Sequence, residues 1–284
     1  MFDWEDLRHF AALAREGSLS AAARRLAVDH ATVARRVAAL EAALALKLLD
    51  RRPRSSALTA DGARIAALAA RMEEDAFALG RAARAAQPGL AGEVSISAPP
   101  MVAATFIAPR LQHLRAQHPG IHVRLIGEKR TASLTRREAD LAVRLSRPTE
   151  KRLVARRIGA FGFALYAAPS YLAAHAAADF VFIAYDESLD SVVQQDWLKA
   201  AAGARPIVLR SNDLEVQRAA ARAGVGVAAL PHFLGDADAG LVRVEVVAKP
   251  VRREVWLVVH GDLRRAPAVR AVMGFLAECF VSLP

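Results

Sequence analysis

The sequence predicts an α/β protein that begins with a helical segment and ends in a larger region of alternating strands and helices. Three observations support this: apolar residues at helical spacing near the N-terminus, one long helical pattern after Thr59, and short apolar strand patterns from Gly92 onward. At 284 residues the chain exceeds the usual size of a single domain. We therefore expect at least two domains.

The composition excludes several classes of protein. The single cysteine, Cys279, rules out an intramolecular disulfide framework and a four-cysteine zinc site. The start, MFDWEDLRHF, is acidic where a secretory signal would be basic, and no uncharged apolar run approaches the roughly 20 residues that cross a bilayer. We expect a cytoplasmic protein without membrane contact.

The positive charge favours a polyanionic partner. The net charge is +10, and basic residues are concentrated in two regions. Between Gly17 and Thr59 there are 8 Lys and Arg against 3 Asp and Glu, and between Arg124 and Arg157 there are 11 against 4. The two regions lie far apart in the sequence, so one explanation need not cover both.

Three helices are predicted before residue 45. The first runs from Trp4 to Gly17, a typical C-terminal stop. The second is rich in alanine, begins at Ser18 or Ser20 and closes near Leu26. The third carries one apolar stripe, formed by Val33, Val37, Leu40 and Leu44.

A basic hairpin and a long helix follow. Leu46 and Leu48 predict a short strand, and a tight loop around Pro53 returns through Leu58. Three helices and this hairpin form a winged helix-turn-helix over residues 1–59. Thr59 caps a helix that reaches about Gln87, so we assign 60–89 to a linker that pairs with a second copy; the alternative is a core helix of the next domain.

The outer face of the third helix is small enough to enter a DNA major groove. Ala31, Ala34 and Ala38 permit close approach, and Arg35 offers donors to a guanine edge or a phosphate. Arg36 lies nearer the apolar stripe and is predicted to clamp a phosphate. The alternative is a solvated helix face with two ordinary arginines. The predicted DNA contacts are His30, Ala31, Thr32, Arg35 and Arg36, together with Arg52 and Arg54 in the wing.

The remainder, 90–284, predicts an α/β domain. The strand candidates are EVSIS, IHVRLI, DLAVRL, FGFALYA, FVFIAY, PIVLRS, VGVAAL and EVWLVVH, separated by helical stretches such as 102–117. A break around 161–169 suggests two subdomains, the first of about 90–162 and 267–284 and the second of about 163–266. A ligand would bind in the crevice beyond the carboxyl ends of the strands.

No pattern indicates an enzyme. AGVGVAAL contains only a fragment of a dinucleotide fingerprint, and it lies late in the chain. The sequence has no HExxH, P-loop or GxSxG motif, and its histidines lack metal-ligand spacing. We therefore predict no catalytic residue, no metal site and no cofactor.

The order of these motifs resembles one family. The stretch DLRHFAALAREGSLSAAARRLAVDHATVARRVAALEAALALKLLDRRPRSSALTADG is similar to the winged helix-turn-helix of LysR-type transcriptional regulators. The similarity continues through GEVSISAPP, HLRAQHPGIHVRL, ADLAVRL, LYAAPSYLA and RSNDLEVQRAAARAGVGVAALP. It implies an effector domain of two Rossmann-like subdomains, as in type II periplasmic binding proteins. It also implies a homodimer or homotetramer that binds promoter DNA and a small-molecule effector, with RNA polymerase as a further partner.

The resemblance also points to effector-binding residues. They are Pro99, Pro100 and Met101 after the first strand, Arg144 with Ser146, and Ser211 with Asn212 at a helix start. Helix N-termini and an arginine fork suit a small carboxylate. Alternatively, Ser211 and Asn212 only cap a helix, and Arg144 pairs with an acid such as Asp140.

Two departures from the family pattern affect DNA recognition. His30 and Ala31 stand where the family usually has glutamine and often proline, and Ala34 replaces the usual serine. The base preference of the family therefore does not transfer to this chain. The competing function is a small-molecule sensor whose N-terminal domain mediates protein contacts and not DNA contacts.

Overall fold

The computed structural model describes residues 1–52, 55–85, 89–128, 134, 139–150, 152–245 and 250–281. The chain separates into two compact units, Met1–Ala83 and Arg84–Pro284, which are described in turn. Among the helices in these described ranges, none is long and apolar enough to cross a membrane.

The first unit contains three capped helices followed by a hairpin and a long helix. The side chains of Asp3, Ser18 and Asp29 accept backbone N–H bonds at the starts of the three helices, and Gly17 ends the first with φ 74°. Ser18 is therefore the cap of the second helix, and Ser20 is not. The elements are α1 (Trp4–Glu16), α2 (Leu19–Leu26), α3 (His30–Leu44), β1 (Leu49–Arg52), β2 (Ser55–Leu58) and α4 (Ala60–Ala85).

The core of this unit forms where the apolar stripe predicts it. Val33, Val37 and Leu40 are buried, and Leu44 packs at the edge of the same cluster. They meet the apolar face of α1, which contributes Leu7, Phe10 and Leu13.

A buried carboxylate holds the hairpin against α3. Glu41 accepts the backbone N–H groups of Leu48 at 2.7 Å and Leu49 at 3.2 Å, at the start of β1. On the other side, the Thr59 hydroxyl donates to the Lys47 carbonyl at 2.6 Å. The hairpin is therefore tied at its base to the helices on either side of it.

The second unit has one sheet shared between two halves. Its strands are β3 (Gly92–Ala98), β4 (Ile121–Gly127), β5 (Leu141–Arg144), β6 (Leu153–Ala167), β7 (Phe182–Ala184), β8 (Ile207–Arg210), β9 (Val227–Pro231), β10 (Val242–Val244) and β11 (Val251–His260). Its helices include α5 (Pro100–Val102), α6 (Leu111–Gln117), α7 (Pro169–Ala174), α8 (Val193–Ala202), α9 (Leu214–Arg222), α10 (His232–Gly235) and α11 (Pro267–Cys279).

In the described residues the strand order is β4-β3-β5-β11-β6-β9-β7-β8, with β10 also paired to β6. The parallel strands β4, β3 and β5 form the first half, and the parallel strands β8, β7 and β9 form the second. The antiparallel strand β6 joins them, because residues 153–163 pair with β11 and residues 163–166 pair with β9.

The predicted subdomain limits differ from this sheet at two places. β6 begins at Leu153, eight residues before the predicted strand at Phe161, and passes through the predicted boundary without a break. The predicted second subdomain, 163–266, includes β11, but β11 pairs with β5, and Val255, Leu257 and Val259 share a core cluster with α11. β11 therefore belongs to the first half.

The predicted helix 102–117 is interrupted. After α5, the chain forms a π-helical turn at Ala103–Ile107 and a 3₁₀ turn at Ala108–Arg110 before α6. Pro109 lies in the 3₁₀ turn, has no N–H to donate to the preceding turn and disturbs regular α-helical bonding.

Candidate functional site

The outer face of α3 is exposed and carries small residues. His30, Ala31 and Arg35 are exposed, while Thr32 and Ala34 are partly exposed. The face continues C-terminally through Ala38, Ala39 and Ala42, all exposed. Among the described residues, Arg35 has neither a hydrogen bond nor an ion pair, so its guanidinium is available to a partner.

The start of α3 constrains what Thr32 can contribute. Asp29 accepts the backbone N–H of Thr32 at 2.7 Å and its hydroxyl at 2.9 Å. These hydrogen bonds lower the pKa of the Asp29 carboxyl. Because the Thr32 hydroxyl proton is already donated, its oxygen is left as an acceptor, which suits an amino group of adenine or cytosine.

The two adjacent arginines of α3 have different surroundings. Arg36 Nη1 lies 3.1 Å from Asp6 Oδ1 and 3.5 Å from Asp3 Oδ2, so it joins α3 to α1. The predicted phosphate clamp is thus engaged by two carboxylates, which the sequence did not indicate. Of the predicted wing contacts, Arg54 lies outside the described residues, as does the side chain of Arg52, the last residue of β1.

A cavity of about 280 Å³ in the second unit brings together residues from both halves of the sheet. Six of the seven predicted effector residues line it: Pro99, Pro100, Met101, Arg144, Ser146 and Asn212. Ser211 is absent from the lining. Its hydroxyl accepts the N–H of Asp213 at 3.2 Å, and Asp213 is the residue that caps α9.

Most of the remaining lining residues were not predicted from the sequence. Glu128, Leu145 and Tyr185 each follow directly after a parallel strand, so the rule that ligands bind at carboxyl ends of strands could have identified them. Arg253 lies near the start of β11 in a basic stretch, and no motif distinguishes it from Arg252. The full set of missed residues is Ser97, Glu128, Ala142, Val143, Leu145, Tyr185, Leu189, Val192, Gln194, Asp213, Leu214 and Arg253.

Arg144 is mostly buried and has an acidic neighbour. Its side chain is 11% exposed, and Nη1 lies 3.5 Å from Glu150 Oε1. The acid that the sequence suggested as its partner, Asp140, is buried and accepts the backbone N–H and the hydroxyl of Ser95 at 2.9 and 2.7 Å.

Two adjacent glutamines of α8 bind residues that line the cavity. Gln195 is buried, accepts the Tyr185 N–H at 3.0 Å and donates to the Tyr185 carbonyl at 3.1 Å. Burial raises the pKa of the Tyr185 phenol, which remains a neutral hydrogen-bonding group at physiological pH. Gln194, the preceding residue of α8, is also buried, and its Oε1 accepts a hydrogen bond from Arg253 Nη1 at 2.6 Å.

Comparison with known proteins covers nearly the whole chain. Residues 4–63 match the family described as "Bacterial regulatory helix-turn-helix protein, lysR family", and residues 87–280 match "LysR substrate binding domain". The Mau operon transcriptional activator of Paracoccus denitrificans is 30% identical over 282 residues, which cover 98% of this chain and 96% of that protein. The AhcY transcriptional activator HvrB of Rhodobacter capsulatus is 31% identical over 231 residues, 78% of this chain and 77% of that one.

Solved structures share the fold. The Vibrio cholerae virulence activator AphB aligns with a TM-score of 0.61 at 23% identity, covering 98% of this chain and 99% of AphB. CrgA, a LysR-type transcriptional regulator from Neisseria meningitidis, aligns with a TM-score of 0.58 at 24% identity over 98% and 99% of the two chains. The helix-turn-helix, the effector domain and their full-length relatives together show that this chain belongs to the LysR family of transcriptional regulators.

Proposed function

We propose that this regulator reads a promoter half-site with the outer face of α3, and that a small anionic effector in the cavity changes its DNA contacts. The observation that carries the DNA part is the exposed, small face of α3, with Arg35 free of described partners. A helix with such a face can lie in a major groove about 12 Å wide.

Within this proposal the contacts divide by role. Arg35 binds a guanine edge or a phosphate, while His30, Ala31 and Thr32 lie near the bases at the helix start. Arg36 is retained as a phosphate contact, but its pairing with Asp3 and Asp6 gives it a second role as a brace between α3 and α1. Arg52 and Arg54 are proposed to follow the DNA backbone beside the groove.

We also propose that the protein is a homodimer or a tetramer of two such dimers. Leu68, Met72 and Leu79 follow one another at spacings of four and seven along α4 and are 48%, 42% and 75% exposed. A second α4 would cover this apolar row. Two copies of α3 would then contact half-sites about one helical turn of DNA, or a multiple of it, apart.

The effector part rests on the cavity, because it places Arg144 and the loop after β3 beside residues of the other half. An effector shifts DNA contacts only if it binds one arrangement of the halves more tightly than the other. On the strength of the family, we further propose that the protein acts in the cytoplasm, contacts RNA polymerase and catalyses no reaction.

The DNA part is tested by selecting a site from random duplexes with the full chain, mapping its footprint, and comparing Arg35→Ala with Arg71→Ala. Arg71 is an exposed arginine of α4 and serves as the control. We expect Arg35→Ala to weaken specific binding by about 1 to 3 kcal/mol and Arg71→Ala to leave it unchanged. An equal loss on random DNA would make Arg35 a phosphate contact. A shallow salt dependence would favour the sensor that does not bind DNA.

The effector part is tested with Arg144→Ala in the same footprinting assay, once a response to a metabolite has been found. We expect DNA binding to be retained and the response to be lost. A normal response would remove Arg144 from the cavity's function.

A further inference from the structure

Arg253 is an arginine of the cavity that has no carboxylate partner among the described residues. Its Nε and Nη2 donate to the Leu145 carbonyl at 3.2 and 2.9 Å, and Nη1 donates to Gln194 Oε1 at 2.6 Å. All of these acceptors are neutral. A charged guanidinium in such surroundings is typical of a site that receives an anion.

The remaining donors of Arg253 have the right number for a carboxylate. The guanidinium has five N–H groups. Three are used by Leu145 and Gln194, which leaves one on each Nη nitrogen. Burial lowers the pKa of Arg253, but arginine stays protonated at neutral pH, so the cavity contains an incompletely solvated positive charge.

The other side chains of the cavity limit the ligand further. Arg144 already has Glu150 within 3.5 Å. The lining contains the two acids Glu128 and Asp213 beside Arg144 and Arg253, so its formal charges sum to zero and it offers no surplus of cations for a second anionic group on the ligand. Much of the remaining wall is apolar, formed by Pro99, Pro100, Met101, Val143, Leu145, Leu189, Val192 and Leu214.

We propose that Arg253 is the residue that selects the effector, and that the effector is a monocarboxylate with an apolar body. This inference rests on the proposed effector cavity and moves the anion contact from Arg144 to Arg253. The position of Arg253 also gives it a link to both halves, since Leu145 follows β5 in the first half and Gln194 belongs to α8, whose Leu198 and Ala202 lie in the core of the second.

The test uses the full-length protein and four probes of matched shape: hexanoate, 3-phenylpropanoate and their primary amides. Binding is measured by calorimetric titration of the wild type, Arg253→Gln, Arg253→Lys, Arg144→Gln and Arg252→Gln. Arg252 is the exposed neighbour of Arg253 on β11, lies outside the cavity lining and provides the matched control. Thermal unfolding establishes that each variant is folded.

We expect both carboxylates to bind the wild type at least tenfold more tightly than their amides. Arg253→Gln should lose this preference, Arg253→Lys should keep part of it because the charge remains without the fork, and Arg252→Gln should keep all of it. If Arg253→Gln does not fold, the reduced preference for carboxylates in Arg253→Lys still tests the role of Arg253.

The alternative results separate this inference from the proposed function. Loss of the preference in Arg144→Gln but not in the Arg253 variants overturns the inference and leaves an anion-binding cavity. Equal binding of amides and carboxylates overturns the inference and the anionic effector, but leaves a ligand cavity. If no probe binds the wild type saturably, both the inference about Arg253 and the proposed effector cavity are overturned. The DNA footprint remains an independent test of α3.

Discussion

At the scale of single residues, two neighbouring arginines on α3 show how much an ion pair alters the role of a side chain. Arg35 is exposed, whereas Arg36 reaches the buried carboxylate of Asp6 on α1. Helical periodicity separated the two by their distance from the apolar stripe. It could not reveal the partner of Arg36, because Asp6 is 30 residues away and its burial depends on how α1 packs against α3.

The same pair gives a prediction about stability. Arg36→Gln leaves the Asp6 carboxylate buried without its cation, so we expect the first unit to lose about 1 to 2 kcal/mol in its free energy of unfolding. Arg35→Gln changes an exposed side chain and should stay within about 0.5 kcal/mol of the wild type. Urea denaturation followed by circular dichroism provides the measurement. Equal destabilisation by both substitutions would show that the pairing with Asp6 contributes little.

At the scale of elements, the hairpin depends on contacts that are distant in sequence from its loop. Glu41 on α3 and Thr59 before α4 bind its base, and Gly62 brings α4 directly against the Leu48 carbonyl. The turn residues in the sequence predicted a strand, a loop and a second strand here. It did not predict that Glu41 would be buried, although a glutamate beside an apolar helical stripe is a signal that a specific partner exists.

Gly62 is expected to tolerate no side chain. A Cβ at this position would lie 2.0 Å from the Leu48 backbone oxygen, so Gly62→Ala must displace α4 or the base of the hairpin. We expect a loss of about 1 to 3 kcal/mol in the stability of the first unit, measured by urea denaturation.

The control for this substitution is Gly274→Ala. Gly274 lies exposed in α11, and no heavy atom outside its own helix backbone and chain neighbours comes within 4 Å of the added Cβ. Alanine should therefore stabilise the second unit by about 0.5 to 1 kcal/mol through helix propensity alone. A neutral Gly62→Ala would mean that α4 shifts at little cost.

At the scale of the molecule, the sequence predicted both kinds of domain but not the path of the chain between the two halves of the second unit. Short apolar runs located most of the strands, because such a run is a local feature of the sequence. The register of β11 on β5 and β6 depends on pairing across about a hundred residues, so the sequence could not place β11 beside β5. For the same reason, the sequence could not predict that Arg253, which lies on β11, would line the cavity.

The single cysteine provides a measure of the stability of the second unit. Cys279 is buried in the core with β11 and α11, and burial raises the pKa of its thiol to about 11. The unfolded thiol has a pKa of about 8.5, so below that pH it is protonated in both states and its stabilising contribution is complete. As the pH rises from about 8.5 towards 11, the unfolded state loses its proton first and the contribution is lost.

We therefore expect the urea midpoint of the wild type to fall more between pH 8 and pH 10 than that of Cys279→Ala. The comparison cancels the titration of other groups, because both proteins share them. In the folded wild type at pH 8, alkylation by iodoacetamide should proceed only as fast as the second unit opens. Rapid alkylation without unfolding, or identical pH dependence in the two proteins, would contradict the burial of this thiol.

The shared strand β6 also limits how the protein can be divided for laboratory use. Residues 153–163 belong to the first half through β11, and residues 163–166 belong to the second through β9. Cutting the chain at this point would leave each fragment with an exposed strand edge. Unpaired strand edges promote aggregation. Either half expressed alone would therefore need a redesigned edge, and the natural unit for crystallisation or ligand screening is the complete segment Arg84–Pro284.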